Sequence, residues 1–338
     1  MEAHVEGLSD ALSRAGVEVT ILTQSRSEAS GDDDLRSFRS WTGDRYRISP
    51  GLGRWVRKHR RQFDLLHLHS YHAAAAPIAA GFAGEQPMVL TPHYHGVGHT
   101  AFSRVLHRGY RPIGRWMIAR ADVIIAVSAS EAQSIADHHP GAAERIFVVP
   151  NAAGSQAIAE AEPHAVDDDV ILSVGRLESY KNVERLVSAV AAMAKGQLVV
   201  IGDGPERDKL RAMALNTGSR VRVLGQVPRP ELDSWLRSAS VVATLSSHEA
   251  FGMTLLEGLV AGARVVASDI PAHREVVQMF HAGDRVEFLD MPPDPRRVAA
   301  ALVRALAAGR PTGDPPRRNW DDVAAETLVA YKAALERV

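Results

Sequence analysis

The chain has 338 residues, more than the ~250–300 at which a single core stops growing, so two domains are expected. Apolar residues make up 46% and charged residues 23%, which excludes wholesale disorder, and 39 Lys plus Arg against 40 Asp plus Glu leave no global field for a nucleic acid. The absence of cysteine excludes disulfides, thiolate metal sites and a cysteine nucleophile.

The start, Met1-Glu2-Ala3-His4, lacks the basic-then-apolar order of a signal peptide, and Val5–Ala15 has helical spacing. Val17–Thr23 reads as the first strand. Asp32-Asp33-Asp34, in a Gly/Ser-rich stretch, reads as a solvated acidic loop. Arg54, Arg57, Lys58, Arg60 and Arg61 form a basic run. Either it is a solvated helix face, or it touches a membrane surface or an anionic acceptor. Asp64–His69 is the second strand, and Ala73–Gly84, the most apolar early stretch, is short and broken by Pro77, so it cannot span a bilayer. Pro87–Thr91, Asp122–Val127 and Arg145–Val149 complete the strands of the first half.

Asn151–Asp169 has no apolar periodicity and reads as a linker, with Asp167-Asp168-Asp169 as a second solvated acidic loop. Six more strands follow: Val170–Val174, Gln197–Ile201, Arg220–Leu224, Ser240–Leu245, Arg264–Ser268 and Arg285–Leu289. After a Pro/Gly-rich break at Gly309–Arg318, Asn319–Val338 returns to a helical pattern. Unbroken apolar strands between helical segments are typical of parallel sheets covered on both faces. Two doubly wound α/β domains are the expected architecture, spanning 1–154 and 155–317, with 318–338 as a terminal helix. A soluble, cytoplasmic protein is expected, with membrane association through the basic run left open.

In open parallel sheets ligands bind at the carboxyl ends of strands. Arg176 and Lys181 fall on the loop after Val170–Val174, beside a helix start near Asn182, where two cations and free N–H groups suit a diphosphate. Solvated surface cations are the plainer alternative. Gly202-Asp203-Gly204-Pro205 permits a tight strand-to-helix turn, with Pro205 at the first helical position. The pattern lacks the third glycine of a dinucleotide fingerprint, which leaves a nicotinamide dehydrogenase a poor third reading.

The strongest segment is His248-Glu249-Ala250-Phe251-Gly252-Met253-Thr254-Leu255-Leu256-Glu257. Glu249 lies before a helix starting near Gly252, Glu257 about one turn inside it, and the N–H groups of Gly252–Thr254 face whatever occupies the strand end. His67, His69, His72, His93 and His95 cluster at two other strand ends. No carboxylate accompanies them, so strand-end or cleft histidines are expected and a metal site is not.

Taken together these segments resemble the retaining glycosyltransferases of family 4, glycosyl transferases group 1, with the GT-B fold. The carrying motif is Glu249 to Glu257 with seven residues between, and the resemblance extends through Ala261-Gly262-Ala263-Arg264, Ser173-Val174-Gly175-Arg176, Val149-Pro150-Asn151, Asp64-Leu65-Leu66-His67 and Thr91-Pro92-His93. It implies two Rossmann-like domains facing a cleft and a C-terminal helix crossing back to the first. It implies that Arg176 and Lys181 hold the donor diphosphate and that Glu257 binds the ribose. Glu249 then contacts the donor sugar, and Gly204, Phe251, Gly252, Met253 and Thr254 belong to the donor site. His93, or alternatively His95, approaches the sugar from the first domain.

No metal and no cofactor are implied. The donor is a nucleotide diphosphate sugar, UDP- or GDP-linked, and the acceptor a glycan, lipid or small-molecule hydroxyl. The family begins with an apolar strand and a Gly-Gly loop before a Glu-x-His-Val-like helix start. Met1-Glu2-Ala3-His4-Val5 matches only that helix start, so the first strand and loop are expected to be missing. An inactive nucleotide-sugar binder or a GT-B epimerase are the rival expectations.

Overall fold

The computed structural model describes residues 2–25, 30–32, 35–40, 48–94, 112–166 and 168–337. His95, Asp33, Asp34 and Asp167 lie outside them. The chain divides into two compact units, Met1–Asn151 with Trp320–Val338, and Ala152–Asn319.

The first unit opens with helix α1 (Glu2–Arg14), then strands β1 (Ile21–Ser25), β2 (Ser30–Asp32) and β3 (Leu35–Arg39), helix α2 (Pro50–His59) and strand β4 (Leu66–His69). Helix α3 (Ala75–Phe82), strands β5 (Met88–Thr91) and β6 (Val123–Ala126), helix α4 (Ala129–His138) and strand β7 (Ile146–Val148) follow. β4-β5-β6-β7 form a four-stranded parallel sheet, with His67 opposite Val89 and His69 opposite Thr91. β5 and β6 are buried on both faces, as their unbroken apolar runs require.

The first predicted strand starts four residues later than its apolar run, and it belongs to a separate three-stranded sheet in which β2 pairs antiparallel with β3. Neither β2 nor β3 has an apolar run to announce it. Asp32, expected in a loop, ends β2 instead.

In the second unit, helix α5 (Ser155–Glu160) interrupts the predicted linker, and its Ile158 is fully buried. Strand β8 (Val170–Val174), helix α6 (Val183–Ala191), strand β9 (Gln197–Ile201), helix α7 (Arg207–Leu215), strand β10 (Val221–Gly225), helix α8 (Arg229–Ser238) and strand β11 (Ala239–Thr244) come next. Helix α9 (Met253–Val260), strand β12 (Arg264–Ser268), helix α10 (Pro271–Met279), strand β13 (Val286–Leu289) and helix α11 (Pro295–Ala307) complete it. The six strands pair in parallel in the order β10-β9-β8-β11-β12-β13.

That order reverses between β8 and β11, so the loops leaving these two neighbours diverge and open a crevice at their carboxyl ends. Val170, Ile171, Leu172, Val241, Val242 and Ala243 are fully buried and form the floor beneath it. Asp168 and Asp169 are more than a solvated loop: Asp168 accepts from the Gly196 amide at 3.0 Å, and Asp169 accepts from the Ser240 hydroxyl at 2.8 Å. They fasten the amino ends of β8, β9 and β11 together.

The last helix, α12 (Trp320–Leu335), belongs to the first unit. It packs along α1, where Arg14 and Asp321 pair at 2.6 Å, and Tyr331 hydrogen-bonds His67 of β4 at 2.8 Å. Among the described residues no helix is long and apolar enough to cross a membrane.

Candidate functional site

The crevice between β8 and β11 is lined by Ser173, Gly175, Arg176, Lys181, Thr244 and Ser246, among others. After β8 the chain turns through Gly175 and a single 3-10 turn, Ser179–Lys181, into α6. Asn182 sits between them at φ +54°, a left-handed conformation that asparagine tolerates better than most residues. Its side-chain amide donates to Leu245 O at 2.8 Å, to Tyr180 O at 3.1 Å and to the Ser247 hydroxyl at 3.1 Å. One side chain thus locks the β8 loop to the β11 loop and fixes Lys181 beside Glu249.

Lys181 Nζ donates to Glu249 Oε1 at 2.6 Å, with both side chains mostly buried. Burial alone would push the Glu249 carboxyl up, but the Lys181 ammonium outweighs it and holds Glu249 at about 2. By the same balance burial would lower Lys181, and contact with Glu249 raises it instead. Both groups are therefore charged at neutral pH. Lys181 also lies 5.4 Å from the centre of the Tyr180 ring, which itself stacks on His248.

Arg176 does not join Lys181 in this arrangement. Its side chain is 75% exposed and pairs with Glu178, two residues further along the same loop. The cation thus stands exposed at the rim, while the Glu178 carboxylate that holds it is mostly buried.

Gly252 caps α9 at φ +104°, and a Cβ there would stand 2.8 Å from the His273 ring. The glycine therefore serves both a left-handed turn and a close approach. The first amides of α9 have no partner within the helix and face the strand ends. Thr254 turns its hydroxyl inward to donate to Val174 O at 3.1 Å, and Phe251 is buried, so these two offer a ligand their backbone only. His273 is fully buried beneath the loop, hydrogen-bonded through Nδ1 to Ser268 O, and burial lowers its pKa despite the nearby Glu249.

Glu257 follows on α9 and accepts from Arg229 at 2.7 Å, while Arg229 also pairs with Asp233 at 2.8 Å. Arg229 opens α8 and gave no signal in the sequence, since its partner lies 28 residues away. Gly204 is closely packed: a Cβ on it would stand 2.5 Å from Leu177 O. The turn brings the β9 and β8 loops into contact. Pro205 lies in that turn, two residues before α7, and not at its first position.

In the first unit His67 and His69 share one face of β4, their rings 4.1 Å apart. His67 is saturated, bonding Tyr331 through Nδ1 and Thr91 through Nε2, and burial holds it down at about 3. His93 takes a left-handed φ of +48° just after β5, near His69 and His4. His72 lies apart, against Tyr71.

Comparison with known proteins gives the arrangement a context. Residues 155–322 match the family described as glycosyl transferases group 1, and residues 1–153 match glycosyltransferase family 4. The phosphatidyl-myo-inositol mannosyltransferase of Mycobacterium tuberculosis is 30% identical over 342 residues, covering 91% of this chain and 83% of its own. The D-inositol 3-phosphate glycosyltransferase of Xylanimonas cellulosilytica is 27% identical, covering 100% and 92%. Among solved structures, sucrose-phosphate synthase from Thermosynechococcus elongatus aligns with a TM-score of 0.70 at 20% identity, covering 99% of this chain and 91% of that one. Anabaena HepE in complex with UDP-glucose aligns with a TM-score of 0.65 at 16% identity, covering 93% and 95%. The fold is that of the GT-B glycosyltransferases.

Proposed function

The chain belongs to glycosyltransferase family 4, and on that premise we propose that it moves a hexose-type sugar from a nucleoside diphosphate to a hydroxyl acceptor, with retention of anomeric configuration and without a divalent ion. The observation that carries this reading is the Lys181–Glu249 pair set at the switch point beside the Gly252-capped start of α9. A diphosphate entering there meets an ammonium already desolvated and amides already aimed, so little reorganisation accompanies the growth of charge on the leaving group.

Lys181 is the fixed cation and Arg176 the exposed one. Together they neutralise the departing diphosphate, the task a metal performs in other transferases. Glu257, on the next turn of α9, receives the ribose hydroxyls once Arg229 yields one carboxylate oxygen. Glu249 accepts from the donor sugar's hydroxyls and keeps Lys181 in place. Met253 and Thr254 contribute amides, and His93 is the first unit's candidate for contact with the sugar. The acceptor hydroxyl attacks from the face that the phosphate vacates, through an oxocarbenium-like state. The C–O bond to phosphate breaks, the new glycosidic bond forms on the same face, and the leaving phosphate takes the hydroxyl proton.

Inositol-bearing acceptors in the names of the relatives make a polyol or lipid-linked hydroxyl the first acceptor to try. UDP and GDP, with their glucose and mannose conjugates, are the first donors. A nucleotide that binds only the folded chain raises its melting temperature, and Lys181→Ala should abolish that rise. The absence of any shift across the set would overturn the donor site, and a product of inverted configuration by NMR would overturn retention.

A further inference from the structure

One buried titratable ring beside the crevice has no task in the transfer as described. His273 lies in the first turn of α10, fully buried behind the loop that carries Glu249. That loop runs from the end of β11 at Thr244 to the start of α9 at Met253.

The pairing of β11 with β12 ends at Thr244 opposite Ala267. Side chains continue it beyond that point. The Ser268 hydroxyl donates to Ser246 O at 2.6 Å, and His273 Nδ1 lies 2.9 Å from Ser268 O and 3.2 Å from Ser268 Oγ. The serine proton is committed to Ser246, so both atoms facing Nδ1 are acceptors and Nδ1 carries the ring proton. Nε2 is then a lone pair. The other edge of the ring takes the space that a side chain at Gly252 would need, since a Cβ there would stand 2.8 Å from Cδ2 and 3.5 Å from Nε2. The ring thus holds the segment 246–252 at one end through Ser268 and at the other directly. Glu249 is the midpoint of that segment.

We infer that His273 is a positioning residue of the donor site: its ring fixes the two ends of this segment and so sets where Glu249 and the first amides of α9 point. The inference rests on the reading of the crevice as a donor site.

Packing alone does not account for a histidine here. Nε2 is enclosed and meets no hydrogen-bond partner among the described residues, and a buried lone pair left so costs stability that a leucine in the same space would not. Leucine lacks the Nδ1–H that grips the end of β12 and the flat edge that fits against Gly252. The ring also stays uncharged at neutral pH. Glu249 raises its pKa and Lys181 lowers it, but burial is the largest influence and lowers it. A charged ring would compete with Lys181 for Glu249, and its second N–H would have no acceptor.

The test uses the full chain at neutral pH, with UDP and GDP as the probes and calorimetry as the readout. His273→Leu should melt near the parent, because losing one hydrogen bond is offset by removing the stranded lone pair. It should bind whichever nucleotide the parent binds about tenfold more weakly, the worth of one buried hydrogen bond. His273→Asn puts an amide N–H close to where Nδ1–H stood and should recover affinity to within about threefold of the parent. A role in stability alone predicts the opposite, a moved melting temperature and a parental affinity. Where His273→Leu does not fold, Ser268→Ala breaks the same chain at its hydroxyl and should weaken binding by about threefold. Nitrogen-15 NMR of the parent should show Nδ1 protonated and Nε2 not. Parental affinity in folded His273→Leu or in Ser268→Ala, no recovery in His273→Asn, or a ring protonated at Nε2 would each overturn the inference while the donor site stands. A parent that binds neither nucleotide would remove the donor site, and this inference with it.

Discussion

In the second unit two pairs of opposite charges meet at the candidate site, Lys181 with Glu249 at 2.6 Å and Arg229 with Glu257 at 2.7 Å. At the strand ends of the first unit uncharged rings meet: His4 and His67 are kept neutral by desolvation and contact Asn151, Tyr331 and Thr91 through hydrogen bonds. The two solutions suit different tasks. A buried ion pair is costly to assemble and gives little net stability, but it keeps full charges ready where the proposed transfer would develop charge. A neutral imidazole cluster stores no field; it offers lone pairs.

The largest effect should come from cutting one partner out of the charged pair. Lys181→Ala removes the fixed cation, and transfer should slow by about 2–4 kcal/mol in activation free energy, the cost of one preorganised donor. It also strands the Glu249 charge, destabilising the second unit by about 3–5 kcal/mol. The double variant Lys181→Met with Glu249→Gln separates the two effects. Stability should return and transfer should not. Full-rate transfer by Lys181→Ala would remove the distinction between the units.

Acid should separate them next. Glu249 sits near 2 in the folded chain against an ordinary 4.5, so its contribution is complete above about 4.5 and is lost as pH falls from there toward 2. A shift of that size corresponds to about 3 kcal/mol. Urea unfolding of the parent and of Glu249→Gln should therefore differ above that window and converge below it. Parallel curves throughout would mean the pair is not held as described.

A smaller loss should follow from Gly252→Ala. The residue must hold φ +104° with its Cβ pressed against the His273 ring, and a left-handed conformation alone costs a non-glycine residue about 1–2 kcal/mol. The melting temperature should fall and nucleotide binding weaken, because the amides of α9 are aimed by this turn. An unchanged donor affinity would show that the helix start does not face the ligand.

Much of this was legible in the sequence, and unevenly so. The six strands of the second unit were readable because the four central ones are apolar runs buried on both faces and the edge strands β10 and β13 still carry Val, Leu or Phe around Arg222 and Glu287, and the Glu249 to Glu257 spacing placed one carboxylate before a helix and one within it. The Lys181–Glu249 contact was not readable, since 68 residues separate the partners and only the strand order β8-β11 makes them neighbours. Arg176 was read as the equal of Lys181. Glu178 two residues on is a nearer partner, and Arg176 turns outward to it. In the first unit the histidines of β4 and β5 were visible as a group, but His4 stood outside it until α1 was folded onto their strand ends. The short β2 and β3 have no apolar face to betray them, and α5 is too brief for periodicity.

Tyr331→Phe probes the uncharged side of the comparison and should give the smallest effect. The hydroxyl bonds His67 Nδ1 at 2.8 Å, between α12 and β4. Both groups belong to the first unit and both are sheltered from water, so deleting the hydroxyl leaves one ring nitrogen without its partner while apolar packing survives. The expected loss is about 1 kcal/mol, the net worth of a neutral hydrogen bond, and less than either charged-pair disruption. Hydrogen exchange should show it in α12 and β4 and leave β8 to β13 at their parental rates. A loss as large as that of Lys181→Ala would mean that His67 is held by more than a neutral bond, and the contrast between charged and uncharged burial would fail at the residue where it is most local.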